Sequence, residues 1–198
     1  MRKIIAIGRE FGSGGREFGR RLAEQLGYAY YDQEIIREIA NRTALSEKYV
    51  QQIVEHRPVT SFPIHIGRSF MMVYDPLIEQ NQNIFRGQCE ILQKMAKKSN
   101  CVIVGRCADY ILREEDPLRI FIYAEMSSKV QRCREKVRET RTDKELRQQI
   151  QRVDKERARY YEYYTGQKWG ARENYDLCLN TTNIEIKQAV AMVAKMFN

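Results

Sequence analysis

Four glycines fall within eight residues near the start of the chain, at Gly8, Gly12, Gly14 and Gly15, in the stretch IIAIGREFGSGGREFGR spanning 4–20. That is more than a tight turn needs. Such a loop lets successive backbone N–H groups converge on one anion, with the positive end of a helix dipole behind them. The chemistry is phosphate binding. The standard loop, G-x-x-x-x-G-K-[ST], adds a lysine for the outer phosphates and a hydroxyl for magnesium. Here Gly14 is followed by Gly15, Arg16 and Glu17. Arg16 is the natural substitute cation, because a guanidinium can hold two phosphate oxygens at once. Glu17 would reach a magnesium ion only through water. Arg9 and Glu10 stand at the loop mouth, where pairing with each other is an open alternative.

Other polar residues fall at the ends of apolar runs. Asp32 follows Tyr30-Tyr31, and reads either as a substrate ligand or as the cap of a helix from 33. Gly105-Arg106 follow Val102-Ile103-Val104, which aims Arg106 into the same crevice as the glycine loop and suits it to a substrate phosphate. Asp109 lies three residues further on and reads as a partner for Arg106 or Arg113 if it does not touch substrate. Asn180-Thr181-Thr182 could line a base pocket; capping of the helix after Ile184 is the reading favoured here.

Those residues need a scaffold. Apolar runs at Ile4–Ile7, Tyr28–Tyr31, Cys101–Val104, Leu118–Tyr123 and Tyr175–Leu179 predict strands, separated by helical stretches. That alternation predicts an α/β fold, a parallel sheet with helices on both faces. Residues 33–56 and 78–98 predict helices, and Ile184–Phe197 a closing one. The pattern over Thr43–His56 resembles a short helix-turn-helix, but its apolar positions fit ordinary packing equally. Between Arg57 and Pro76 the composition shifts to Pro58, Pro63, Gly67 and scattered aromatics, which suggests a mobile insert.

At 198 residues the chain suffices for one such domain with a sizeable core. No apolar run approaches a membrane span and none reads as a signal peptide, so no membrane partner and a cytoplasmic location are expected. The five cysteines show no CxxC spacing and suggest neither a metal site nor a disulfide framework. A formal net charge of +8 calls for anionic partners. Much of it lies between Lys129 and Arg172, where Tyr160, Tyr161, Tyr163 and Tyr164 resemble a stacking platform for nucleic acid. Glu135, Glu139, Asp143, Glu145, Asp154 and Glu156 are interleaved there, which fits a solvated helix better. Nucleic-acid binding is therefore not expected. Oligomeric state is left open.

The residues as a set resemble the cytidylate kinase-like proteins, within the P-loop nucleoside monophosphate kinases. The resemblance spans nearly the whole chain. It rests on IAIGREFGSGG (5–15), YYDQEII (30–36), CVIVGRCADYIL (101–112), LRIFIYA (118–124), RVDKERARYY (152–161) and NYDLCLNTT (174–182). It implies a P-loop three-layer sandwich on a five-stranded parallel sheet, as a single domain over 1–198. A monophosphate-binding insert would span about 33–80 and a basic lid about 127–172. It implies transfer of the ATP γ-phosphoryl group, with Mg2+, to a nucleoside monophosphate resembling CMP or dCMP. By motif, Gly8, Gly12, Ser13, Gly14, Gly15, Arg16 and Glu17 would form the donor loop. Asp32, Arg106 and Asp109 would serve the acceptor, and Arg152, Arg157 and Arg159, with Arg16, the catalytic charge. Four departures matter: Gly15 replaces the family lysine, Glu17 stands near its hydroxyl, Cys107 replaces an aspartate, and Asp32-Gln33-Glu34 stands where the family has Asp-Thr-Gly. A slow or rewired kinase of this or another small phosphate acceptor, and a nucleotide sensor without turnover, are both compatible with them. So is an RNA-binding role for 152–172.

Overall fold

Six consecutive residues with no exposed side chain, Ile4–Arg9, form the central strand β1. The computed structural model describes residues 3–55, 76–136 and 141–197. Around β1 lie β2 (Ala29–Tyr31), β3 (Cys101–Val104), β4 (Leu118–Tyr123) and β5 (Leu177–Asn180). All five run parallel, in the order β2-β3-β1-β4-β5. Continuous apolar runs suit strands covered on both faces. The register pairs Ile7 with Val104 and with Ile120, so the residues just beyond those positions, Gly8-Arg9 and Gly105-Arg106, emerge side by side.

Helices α1 (Gly15–Leu26) and α8 (Ile186–Ala194) cover one face, where Phe18, Leu22 and Val190 pack on Ile5, Ile7 and Ile120. The other face carries α2 (Gln33–Thr43), α3 (Glu47–Glu55), α4 (Pro76–Lys98) and the short α5 (Ala108–Ile111). There Ile35, Ile39, Ile84 and Leu92 meet Ile103. Val50 is buried in this layer, with Leu45 and Ile53 against it. The apolar positions of the helix-turn-helix-like segment are thus core contacts. The proline-bearing segment between Arg57 and Pro76 falls almost wholly outside the described residues.

Two further helices complete the basic region, α6 (Met126–Lys136) and α7 (Asp143–Thr165). α7 opens with a capping box: Glu145 N–H donates to Thr142 Oγ1 at 3.3 Å while Thr142 N–H donates to Glu145 Oε2 at 2.7 Å. Of its tyrosines, Tyr163 is exposed and the others are packed. Tyr160 and Tyr161 are buried, and Tyr164 stacks on Phe85 of α4 with centroids 3.9 Å apart. The spacing of Tyr160, Tyr161 and Tyr164 reflects contacts with α4 and α5. Among the described residues no helix is long and apolar enough to cross a membrane.

Candidate active site

Gly12 and Gly14 adopt left-handed backbone (φ 76° and 85°), which bends the chain after β1 into a cradle ending at the α1 N-terminus. Side chains are sterically excluded there. A Cβ on Gly12 would lie 2.9 Å from the Lys129 carbonyl oxygen, and one on Gly14 2.5 Å from Ile186 Cδ1. The loop faces a cavity of about 300 Å³ whose cationic walls are Arg9, Arg16, Arg132, Arg141 and Arg157. A second, smaller cavity of about 30 Å³ lies behind it, lined by Gly8, Gly105, Arg106, Asp109 and Trp169 among others. Arg9 and Arg157 border both.

The loop is braced from three directions. Thr181, fully buried after β5, donates its hydroxyl to the Ser13 carbonyl at 2.8 Å. Arg132 of α6 in turn bonds the Thr181 carbonyl and its Oγ1. From α7, Asp154 Oδ1 accepts the Phe11 N–H at 2.6 Å. Lys129, 5% exposed, bridges Glu10 at 3.0 Å and Asp154 at 3.1 Å. Burial pulls the Lys129 ammonium down, but the two carboxylates outweigh it and leave it above its ordinary range. Glu10 therefore pairs with a lysine 119 residues away and not with Arg9.

Gly105, Arg106 and Cys107 are three consecutive left-handed residues, with φ of 76°, 61° and 53°. For the two that carry a Cβ this costs roughly 1–2 kcal/mol each, and such strain persists where the surroundings enforce it. Buried Gln88 enforces it by donating to the Arg106 carbonyl at 2.9 Å.

The residues expected from sequence divide as follows. Gly12, Gly14, Gly15, Arg16 and Arg157 line the larger cavity; Gly8, Arg106, Asp109 and Arg157 line the smaller. Gly8 sits on the strand, where a Cβ would strike Phe121 and Tyr175. The Ser13 hydroxyl turns inward to the Glu10 carbonyl. Arg16 Nε pairs with Asp32 Oδ2 at 2.9 Å. Asp32 occupies the N-cap of α2 without making a side-chain cap bond, and its Oδ1 is buried with no hydrogen-bond partner among the described residues. Glu17 pairs with Arg21 and borders a different, open groove beside Arg132 and Asn183. Arg152 and Arg159 lie exposed on α7 and line neither cavity.

Two local expectations are corrected. Asp109 does not pair with Arg113, which lies over the Tyr110 ring; it accepts the Tyr161 hydroxyl at 2.6 Å. Burial raises the Asp109 carboxyl above its usual range against the pull of that hydrogen bond. The segment Asn180–Thr182 does not cap α8, whose N-cap is Glu185; Thr182 bonds Asn180 and Glu125, and Thr181 serves the loop. Trp169 packs edge-on against Phe121, with centroids 5.2 Å apart, at the wall of the smaller cavity. The sequence offers Arg9 only as a partner for Glu10, and gives Arg132, Arg141 and the brace Lys129–Asp154 no role at the site. Their only signal is charge, which abounds in this chain.

Does the arrangement fit a nucleoside triphosphate? A glycine cradle closed to side chains, facing a cavity with five arginines, suits a polyphosphate. Among the described residues no group of three or more His, Cys, Asp or Glu is placed to hold a metal. Magnesium would thus be held chiefly by phosphate and water, its usual habit.

A parallel five-stranded sheet with a glycine cradle after its central strand defines a P-loop kinase-like fold. A model of the cytidylate kinase-like family matches residues 4–183. The chain belongs to that family. Among solved structures it is similar to an uncharacterized protein from Eubacterium ventriosum (28% identity, TM-score 0.71), covering 98% of this chain and 96% of that one. It also matches shikimate kinase from Bacteroides thetaiotaomicron (14% identity, TM-score 0.58; 98% and 97% covered). A shikimate kinase from Acinetobacter baumannii in complex with shikimate matches likewise (16% identity, TM-score 0.54; 98% and 91%). At those identities the two shikimate kinases establish the fold alone. No curated protein matches significantly.

Proposed function

We propose that this protein is a phosphotransferase that moves the terminal phosphoryl group of ATP, as its magnesium complex, to a nucleoside monophosphate or similar small phosphate acceptor. Family membership makes a CMP- or dCMP-like acceptor the first to test. The observation that carries the reading is the partition between the cavities: Arg9 and Arg157 border both the cradle and the space beside Arg106. Donor and acceptor phosphates on either side would face each other across shared positive charge. Phosphoryl transfer asks little covalent chemistry of the protein; alignment and neutralisation of the transferring group supply most of the rate.

In this reading Gly12, Gly14 and Gly15 receive the donor phosphates, with Ser13 holding the bend. Arg16 and Arg157 supply charge, while Arg152 and Arg159 would act only after a closure that brings α7 inward. Arg106 grips the acceptor phosphate, Asp32 orients the acceptor through Arg16, and Asp109 holds the cavity wall through Tyr161. The groove beside Arg132 and Asn183 would take the donor base and ribose, since Arg132 borders the phosphate cavity too. The segments at about 33–80 and 127–172 would act as insert and lid, and the cytoplasm is the location where such nucleotides are met.

The absence of lysine, hydroxyl and aspartate at Gly15, Glu17 and Cys107 favours a second reading, a nucleotide sensor without turnover. Calorimetric titration of Mg·ATP with and without CMP, followed by a coupled assay over a panel of monophosphates, separates the two. Binding with product supports the kinase; binding without product from any acceptor supports the sensor. Folded protein that binds neither ATP nor GTP defeats both.

A further inference from the structure

Gly15 stands where a standard loop carries its lysine, and the neighbouring residue Arg9 explains why. A Cβ on Gly15 would lie 2.5 Å from Arg9 Cβ and 3.0 Å from Arg9 Cγ. A lysine there would collide with the stem of this arginine. The guanidinium continues across to β3: a Cβ on Gly105 would meet Arg9 Nη1 in hard overlap and Cζ at 2.7 Å. One side chain thus makes glycine necessary at two positions that lie 90 residues apart, one in the cradle and one at the acceptor side.

Arg9 is 7% exposed, and its Nε is buried with no hydrogen-bond partner among the described residues. The charges around it are mostly of its own sign. Arg157, Arg106 and Arg16 oppose its charge and Asp32 alone favours it; together with burial, the largest effect, this holds the guanidinium well below its ordinary range. A buried cation gathered mostly with like charges and lining both cavities has no ion-pair partner among the described residues. A salt bridge with Glu10 would have supplied one, but Glu10 is taken by Lys129.

We propose that Arg9 is the catalytic cation of this loop: it replaces the missing lysine from the opposite side of the cradle and holds the phosphoryl group in flight between donor and acceptor. This rests on the kinase reading above. As the bond from Pγ to its bridging oxygen breaks, the bond from an acceptor phosphate oxygen forms. ADP leaves with the bridging electron pair, and Arg9 faces the non-bridging oxygens throughout. Arg16, committed to Asp32, is then a second donor to the same chain of phosphates.

The test uses sodium tripolyphosphate, a probe with neither base nor acceptor, titrated calorimetrically into the wild type, Arg9→Lys, Arg9→Gln and the double variant Arg9→Gly/Gly15→Lys. Loss of a charge-assisted contact predicts a Kd raised roughly 10- to 100-fold in Arg9→Gln. Arg9→Lys should stay within about tenfold of wild type, and the double variant, which moves the cation back to position 15, should recover binding lost in Arg9→Gln. Thermal melts identify any variant that fails to fold; the double variant, which removes the clash, then decides. Wild-type affinity in a folded Arg9→Gln overturns the assignment, as does a folded double variant that binds no tripolyphosphate, or a wild type that binds none. The two readings separate cleanly. Arg9-dependent binding without turnover of any acceptor defeats the kinase and leaves Arg9 the anion holder; turnover that is unchanged in Arg9→Gln does the reverse.

Discussion

The guanidinium of Arg9 lies against Gly105, in the space that any side chain at 105 would need. Arg9 ends β1 and Gly105 follows β3 beside it, so the contact joins the glycine loop to the wall of the smaller cavity.

Gly105→Ala should therefore act at a distance. The new methyl meets Arg9 Cζ at 2.7 Å on a backbone with φ of 76°, so the arginine must leave. The expected cost is about 1–3 kcal/mol of stability, with tripolyphosphate affinity reduced as in Arg9→Gln. Urea unfolding and calorimetry on the same variant check both effects.

Arg106→Ala should raise the acceptor KM by roughly 10- to 100-fold, the worth of a charge-assisted hydrogen bond, with a smaller change in kcat. An acceptor titration at saturating ATP reads this directly. An unchanged KM would remove Arg106 from the acceptor site.

Lys129→Met leaves Glu10 and Asp154 facing each other with no cation between them. Breaking one member of a buried ionic group typically costs about 3–5 kcal/mol. Urea unfolding should show a lower midpoint with an unchanged slope, and repulsion between the two carboxylates should make the loss smaller in acid.

Asp109 gives a pH signature. Its carboxyl is raised in the folded protein, so between the unfolded and folded values the folded state binds more protons, and stability falls as pH rises through that window. Asp109→Asn keeps an acceptor for the Tyr161 hydroxyl and removes the buried charge. It should melt at or above the wild-type temperature at pH 7, with the difference shrinking as pH falls. Tyr161→Phe should do the opposite, costing about 1–3 kcal/mol by removing the hydroxyl donor from the buried carboxylate.

Much of this was legible in the chain. The five strands are short apolar runs bounded by polar residues, and the glycine spacing marks the bend between β1 and α1. Boundaries moved by a residue or two where the last apolar residue is not the last one paired; β5, for instance, starts at Leu177 and not Tyr175. What stayed hidden depends on contacts between distant segments. Nothing local distinguishes Lys129 and Asp154 from the other charges of two basic helices; their burial is created by the loop that packs on them. Thr181 reads as a helix cap because hydroxyls before helices commonly are caps, whereas strand β5 delivers it to the back of the cradle. The packing of Arg9 depends on two glycines that appear in separate motifs.

The Phe11 amide is already bound to Asp154 at 2.6 Å, so the cradle holds a resident carboxylate at one of its own N–H groups. A phosphate that reaches this amide enters by exchange, and donor affinity there measures a preference between two anions. Asp154 rides on the same helix as Arg157, three residues along. The helix that lines the cavity with a guanidinium therefore also offers a carboxylate that would rival any phosphate entering it.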